Sequence, residues 1–329
     1  MAEVSTLDTP VKADYEALRS AIAYRRFDER LVVRMSGDDR ISFLHGMCTA
    51  DVKGLKPGDV AWALLLTEHA HVITDLNVFA TDDALLIEID RARWPGAKAQ
   101  LEKLLVADDV EMTELENQTV LELAGPERAQ AVAALFGESA AAMAPWHFTS
   151  SEAIAAIANF PRDGVAALTI IVERAASTEI VRRLSQTRHA REVSADALEI
   201  VRVEQGIARV GVDTGDKTIA LEARLDPAIS FTKGCYLGQE TIERATSRGA
   251  LKKKLYGLQI DGERAPERGA PVTLEGKEIG RVGSVAVSPA RGVLALSILH
   301  HSAWTPGAKV RIEDSHGELA ATISDLPFK

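Results

Sequence analysis

The sequence predicts an α+β fold closed by a small all-β module. Three observations lead there. At 329 residues the chain exceeds the ~250–300 at which a single hydrophobic core stops growing, so more than one domain is expected. Its first 250 residues mix helix-period stretches with short apolar strands. From Leu255 onward glycine and proline recur at short intervals (Gly257, Gly262, Pro266, Gly269, Pro271), with apolar alternation between them, as over 278–287 and 292–299.

In chain order, Tyr15, Leu18 and Ile22 fall at helical spacing and predict a helix over 12–27. Residues 31–35 are a strand stopped by Ser36-Gly37-Asp38. Asp38 or Asp39 caps a helix reaching Thr49. Residues 60–66, 72–80 and 84–89 are strands, the last two joined by a Thr81-Asp82-Asp83 turn. Pro95 suits a first helical turn, continued over 97–106. Residues 110–115 and 119–123 are expected to pair with each other. A helix follows Gly125-Pro126-Glu127 and stops at Gly137. Residues 139–162 are Ala-rich and carry no clear period. Residues 165–172 are a buried strand, and 177–189 and 194–207 are helices. A last helix spans 238–245.

Composition narrows function. Hydrophobic residues are 46% and charged residues 26%, an ordinary globular balance. The formal charge of -10 opposes extensive nucleic-acid wrapping, and 5% aromatic content leaves few stacking surfaces, so direct RNA binding is not expected. No apolar run of 18 residues is present and no membrane role is expected. Met1 to Pro10 lacks the apolar stretch of a secretory signal, and two cysteines, Cys48 and Cys235, suit a reducing cytoplasm. P-loop, dinucleotide-binding, nucleophile-elbow and zincin motifs are absent. His69/His71 and His300/His301 have no clear third partner, so no metal is expected.

Three places carry chemistry. Asp75 interrupts a strand and shares a face with Ile73 and Asn77, lining a polar cavity or facing water. Glu204 sits late in a helix before the Gly206 stop, where the dipole disfavours a carboxylate. Lys233-Gly234-Cys235-Tyr236-Leu237-Gly238-Gln239-Glu240 places an ammonium two residues from a thiol. Cys235 is then either an activated thiolate or an inert core residue. Arg244, Arg248, Lys252, Lys253 and Lys254 follow as a basic run that suits an anionic ligand or a solvated loop.

The octapeptide 233–240 resembles the Lys-Gly-Cys-Tyr-x-Gly-Gln-Glu signature of the YgfZ family, folate-binding proteins related to the glycine-cleavage T-protein, an aminomethyltransferase. Phe43-Leu44-His45-Gly46, Thr49-Ala50-Asp51-Val52, Arg202-x-Glu204-x-Gly206 with Gly211-x-Asp213, the basic continuation and Leu326-Pro327-Phe328 are similar too. The resemblance spans essentially the whole chain. It implies a T-protein-like three-part ring around a central folate cavity, with a C-terminal small β-barrel. The units expected are 1–52 with 117–248, an inserted 53–116, and a barrel over 249–329.

The resemblance also implies tetrahydrofolate as cofactor and a role in assembly or repair of iron–sulfur client proteins, which indirectly supports tRNA modification. It assigns chemistry to Cys235, Lys233 and Asp75, and folate contact to Asp75, Glu204, Tyr236, Gln239 and Arg244. Glu204 is expected to accept the pterin N–H and amino group, with Arg244 or the lysines beyond receiving the glutamate tail. The alternative is a tetrahydrofolate-dependent aminomethyltransferase or demethylase with Asp75 as acid/base group. Where the T-protein has two adjacent aspartates, this chain has Thr74-Asp75, which weakens that alternative. The family glycine in the preceding hairpin is replaced by Glu68-His69-Ala70-His71.

Overall fold

The computed structural model describes residues 9–151, 154–161, 166–247, 249 and 251–329. In chain order its elements are α1 (Thr9–Ser20), β1 (Ile22–Phe27), β2 (Arg30–Ser36), α2 (Arg40–Met47), β3 (Val60–Leu66), β4 (Val72–Ala80), β5 (Leu85–Asp90), α3 (Trp94–Leu104), β6 (Glu111–Glu114) and β7 (Gln118–Ala124). There follow α4 (Arg128–Phe136), α5 (Glu138–Ala141), β8 (His147–Ser151), β9 (Ile154–Asn159), β10 (Ala167–Glu173), α6 (Arg174–Ser185), β11 (Ala190–Glu192), α7 (Ala195–Gln205) and α8 (Gln239–Ser247). The last strands are β12 (Lys253–Ile260), β13 (Pro271–Leu274), β14 (Lys277–Ser288), β15 (Gly292–His300), β16 (Lys309–Asp314) and β17 (Gly317–Ser324).

Three sheets organise the chain. A six-stranded sheet has the order β11-β1-β7-β10-β9-β8, and a five-stranded sheet the order β3-β4-β5-β2-β6. Strands β12 to β17 close a barrel, the small all-β module of the glycine–proline texture and the C-terminal barrel that the resemblance implied. The central apolar cluster draws on all three: Ala23 and Phe27, Leu64 and Phe79, Leu294 and Leu296. The cavity described below lies where the two open sheets meet α7.

Several expectations are corrected. The helix predicted over 12–27 ends at Ser20, and Ile22–Phe27 is a strand between β7 and β11. Pairing on both edges there outweighs the helical spacing of Leu18 and Ile22. Residues 110–115 and 119–123 do not pair: β6 joins β2, whereas β7 lies between β1 and β10. The chain turns at Leu115, whose N–H bonds Val32 O, and crosses from one sheet to the other. Strand β2 and helix α2 pack with the five-stranded sheet, Leu31, Val33, Phe43 and Leu44 sharing its apolar cluster. Residues Leu31 to Val52 thus share an apolar cluster with Ala63 to Leu101. Asp39 occupies the N-cap of α2, but its carboxylate accepts from the Asp109 N–H at 2.9 Å instead of capping.

Other signals hold. Ser194 Oγ caps α7 by accepting from the Ala197 N–H, and Gly206 ends that helix at φ +70°. Pro95 lies in the first turn of α3. The unassigned 139–162 region contains α5, β8 and β9.

Candidate functional site

Strand β4 alternates as its sequence dictates. Leu76 and Val78 enter the apolar cluster beneath, whereas Asp75 and Asn77 face a cavity of about 400 Å³. Trp62 on β3, directly opposite Asn77, donates its indole N–H to Asp75 Oδ2 at 3.3 Å. Glu88 on β5 is fully buried behind this wall. It accepts from Asn77 Nδ2 at 2.7 Å and from Arg30 Nε, fixing two cavity residues at once. Such a pair is stable only because both partners are present.

The facing wall is apolar. Phe27, Leu198 and Phe160 line it, with Trp146 stacked on Phe160 at 5.9 Å and 16°. Arg25, Arg30, Arg93 and Arg209 border the space, opposed by Glu29, Asp75 and Asp90. A ring system with one polar edge and an acidic extension suits this distribution: aromatic faces for the ring, a carboxylate for its N–H groups, guanidinium groups for the acid.

Of the residues predicted from sequence, Asp75 lines this cavity and the others do not. Glu204 is buried on the far side of α7. Its carboxylate accepts from the Tyr15 hydroxyl at 2.9 Å and from the Ser288 hydroxyl, with Arg19 at 3.6 Å. Those partners explain a carboxylate at a helix C-terminus. Lys233 is buried, and its ammonium donates to the carbonyls of His45, Cys48 and Ala50, the last two at 2.8 Å. Burial holds it below the usual lysine range. Its three N–H groups are thus committed to the end of α2. Cys235 itself is a free, exposed thiol.

Tyr236 packs beneath Lys233, 5.0 Å from its Nζ, and its phenol is pushed up to about 12 by burial, with a smaller contribution from the charge of Glu243. Gln239 donates to Glu243 at 2.7 Å, and Arg244 pairs with Glu240 on the exposed face of α8. Gly238, at φ +86°, lets the loop approach the β3–β4 hairpin, where a Cβ would lie 2.7 Å from Thr67 O. In that hairpin, which has no glycine, Ala70 adopts φ 61°. Of the basic run, Lys253 borders a second groove, of about 840 Å³, between the 212–222 loop and the barrel. Arg248 lies outside the described residues. Among the described residues no cluster of metal-ligating side chains occurs.

Sequence reasoning missed Trp62, Arg30, Arg93 and Arg209. The alternation of β3 could have placed Trp62 beside Asn77. The arginines carry no local signal, since each reaches the cavity only through tertiary packing.

An α+β chain with two open sheets, a closing barrel and a cavity at the sheet junction defines the class. Residues 4–233 match the GCVT N-terminal domain and residues 253–329 the glycine cleavage T-protein C-terminal barrel domain, and the chain belongs to that family. It is 26% identical to the tRNA-modifying protein YgfZ of Klebsiella pneumoniae over 326 residues, covering 97% of each chain. It is also 26% identical to an aminomethyltransferase of Rubrobacter xylanophilus, covering 97% of this chain and 86% of that one. The glycine cleavage system aminomethyltransferase T from Bartonella henselae shares the fold, with a TM-score of 0.88 and 21% identity over 97% of this chain and 89% of that one.

Proposed function

We propose that this chain binds tetrahydrofolate in the Asp75 cavity and acts as an accessory factor for iron–sulfur proteins, supporting tRNA modification through them. The observation that carries the folate reading is a carboxylate, Asp75, set in an aromatic-walled cavity bordered by arginines. The volume falls within the ~300–1,000 Å³ of small-molecule sites.

Asp75, rather than Glu204, is the carboxylate that takes the pterin N–H and amino groups, because Glu204 already serves Tyr15 and Ser288. Trp62 holds the Asp75 carboxylate in place, while Phe27 and Phe160 exclude water from the ring. Bound tetrahydrofolate supplies a one-carbon carrier. Cys235, exposed and absent from the cavity wall, serves the client proteins at a separate surface.

Calorimetric titration with tetrahydrofolate tests the first half. Asp75→Asn is expected to weaken binding by roughly tenfold or more, the worth of a charged hydrogen-bonded contact. Wild-type protein that takes up no tetrahydrofolate overturns the reading. For the second half, Cys235→Ala is expected to lower iron–sulfur enzyme activity in cells while leaving tetrahydrofolate affinity unchanged. Full cellular activity of that variant rejects the accessory role.

A further inference from the structure

Four arginines border the cavity, and three of them are already committed. Arg25 pairs with Glu29 at 2.6 Å, Arg30 with Glu88, and Arg209 with Glu199 at 2.7 Å. Arg93 makes no ion pair and no side-chain hydrogen bond among the described residues. The nearby Asp90 carboxylate instead receives the Ala92 N–H at 2.8 Å. A guanidinium left this way in a half-apolar cavity has its donors available for a ligand.

The second observation is where that guanidinium rests. Arg93 enters the cavity from the start of α3 and lies across Gly211, on the loop after α7. A Cβ at Gly211 would fall 1.1 Å from Arg93 Nη2 and 2.0 Å from its Cζ. The bare Cα, at φ +81°, is thus a seat that only glycine provides. The Gly-x-Asp pattern at 211–213 acquires a double role: Asp213 anchors the barrel, and Gly211 makes room for an arginine from another sheet's helix.

We infer that Arg93, seated on Gly211, binds the acidic end of the cavity's ligand, the carboxylates of a folate glutamate tail. The inference rests on the folate reading above. It divides the site into two recognition poles: Asp75 for the pterin and Arg93 for the tail. The planar fork of the guanidinium suits a carboxylate held by two parallel hydrogen bonds.

The two poles separate in one experiment. Wild type, Arg93→Ala, Arg93→Lys and Gly211→Ala are titrated with tetrahydrofolate and with 6-methyltetrahydropterin, which has the ring but no tail. Arg93→Ala should weaken tetrahydrofolate about ten- to hundredfold and leave the pterin unchanged. Arg93→Lys should recover part of the loss. Gly211→Ala should act like Arg93→Ala by displacing the guanidinium; should it fail to fold, Arg93→Ala alone decides. Equal loss for both compounds, or no loss, overturns the assignment while the folate reading stands. Equal wild-type affinity for the two compounds also overturns it. Wild type binding neither compound removes the folate reading and this inference together.

Discussion

Lys233 shows how a residue in a chemical signature can be structural. Its ammonium gathers three carbonyls at the end of α2 and ties the 230–238 loop to that helix, helped by the Ser230 N–H to Thr49 O and the Leu237 N–H to Gly46 O. Lys233→Met would leave those carbonyls without their donor, at a cost of about 1–3 kcal/mol. Thermal unfolding would register this as a lowered midpoint; an unchanged midpoint would show that the ammonium is dispensable there. The face that Asp75 shares with Asn77 was legible because a period-2 strand fixes the face of every residue in it, whereas the cavity that this face lines was not. The burial of Lys233 was not, because two residues of spacing from Cys235 say nothing about which way each side chain turns. The Arg93–Gly211 contact was hidden for a related reason. It joins positions 118 apart through packing, with no local pattern at either end.

Among the elements, β1 and α7 give opposite lessons. The 3–4 spacing at the start of the chain suited a helix, yet the β7 and β11 edges claimed residues 22–27. No single-sequence pattern contains that competition. Helix α7 was readable at both ends, from Ser194 and Gly206, since caps are local chemistry. What its interior does was not. Glu199 holds Arg202 at 2.6 Å and Arg209 at 2.7 Å, with Arg268 of the barrel at 3.8 Å. Burial pushes the Glu199 carboxyl up, but these guanidinium groups outweigh it and hold it below its usual value of 4.5. A carboxyl lowered on folding stabilises fully above its unfolded value, and that contribution fades as pH falls through the lower folded value. The wild-type melting temperature should therefore drop on acidification below about pH 4.5, and Glu199→Gln should flatten that limb. Parallel profiles for the two proteins would exclude Glu199 as its source.

At the scale of the molecule, the three-part architecture was legible from the texture change near residue 250 and from the resemblance, but the joint was not. Arg202, fully buried, bonds Glu199 at two points, Asp213 at 3.2 Å and Ser284 Oγ at 2.5 Å. Asp213 in turn accepts the Ser284 N–H at 2.6 Å. The Arg-x-Glu-x-Gly and Gly-x-Asp segments are thus the fastening between α7 and strand β14. Arg202→Ala would leave the buried Asp213 carboxylate without its guanidinium partner and cost about 3–5 kcal/mol in urea unfolding. A loss below about 1 kcal/mol would show that water replaces the guanidinium.

The segment after β17 closes the same joint from outside. Leu326 packs on Gly206, the Phe328 ring on Gly257, and the Phe328 N–H bonds Glu204 O at 2.9 Å. Residues 326–328 thus span both sides of the joint, so the fastening of barrel to α7 rests on a backbone and apolar tie as well as on the buried Arg202 network.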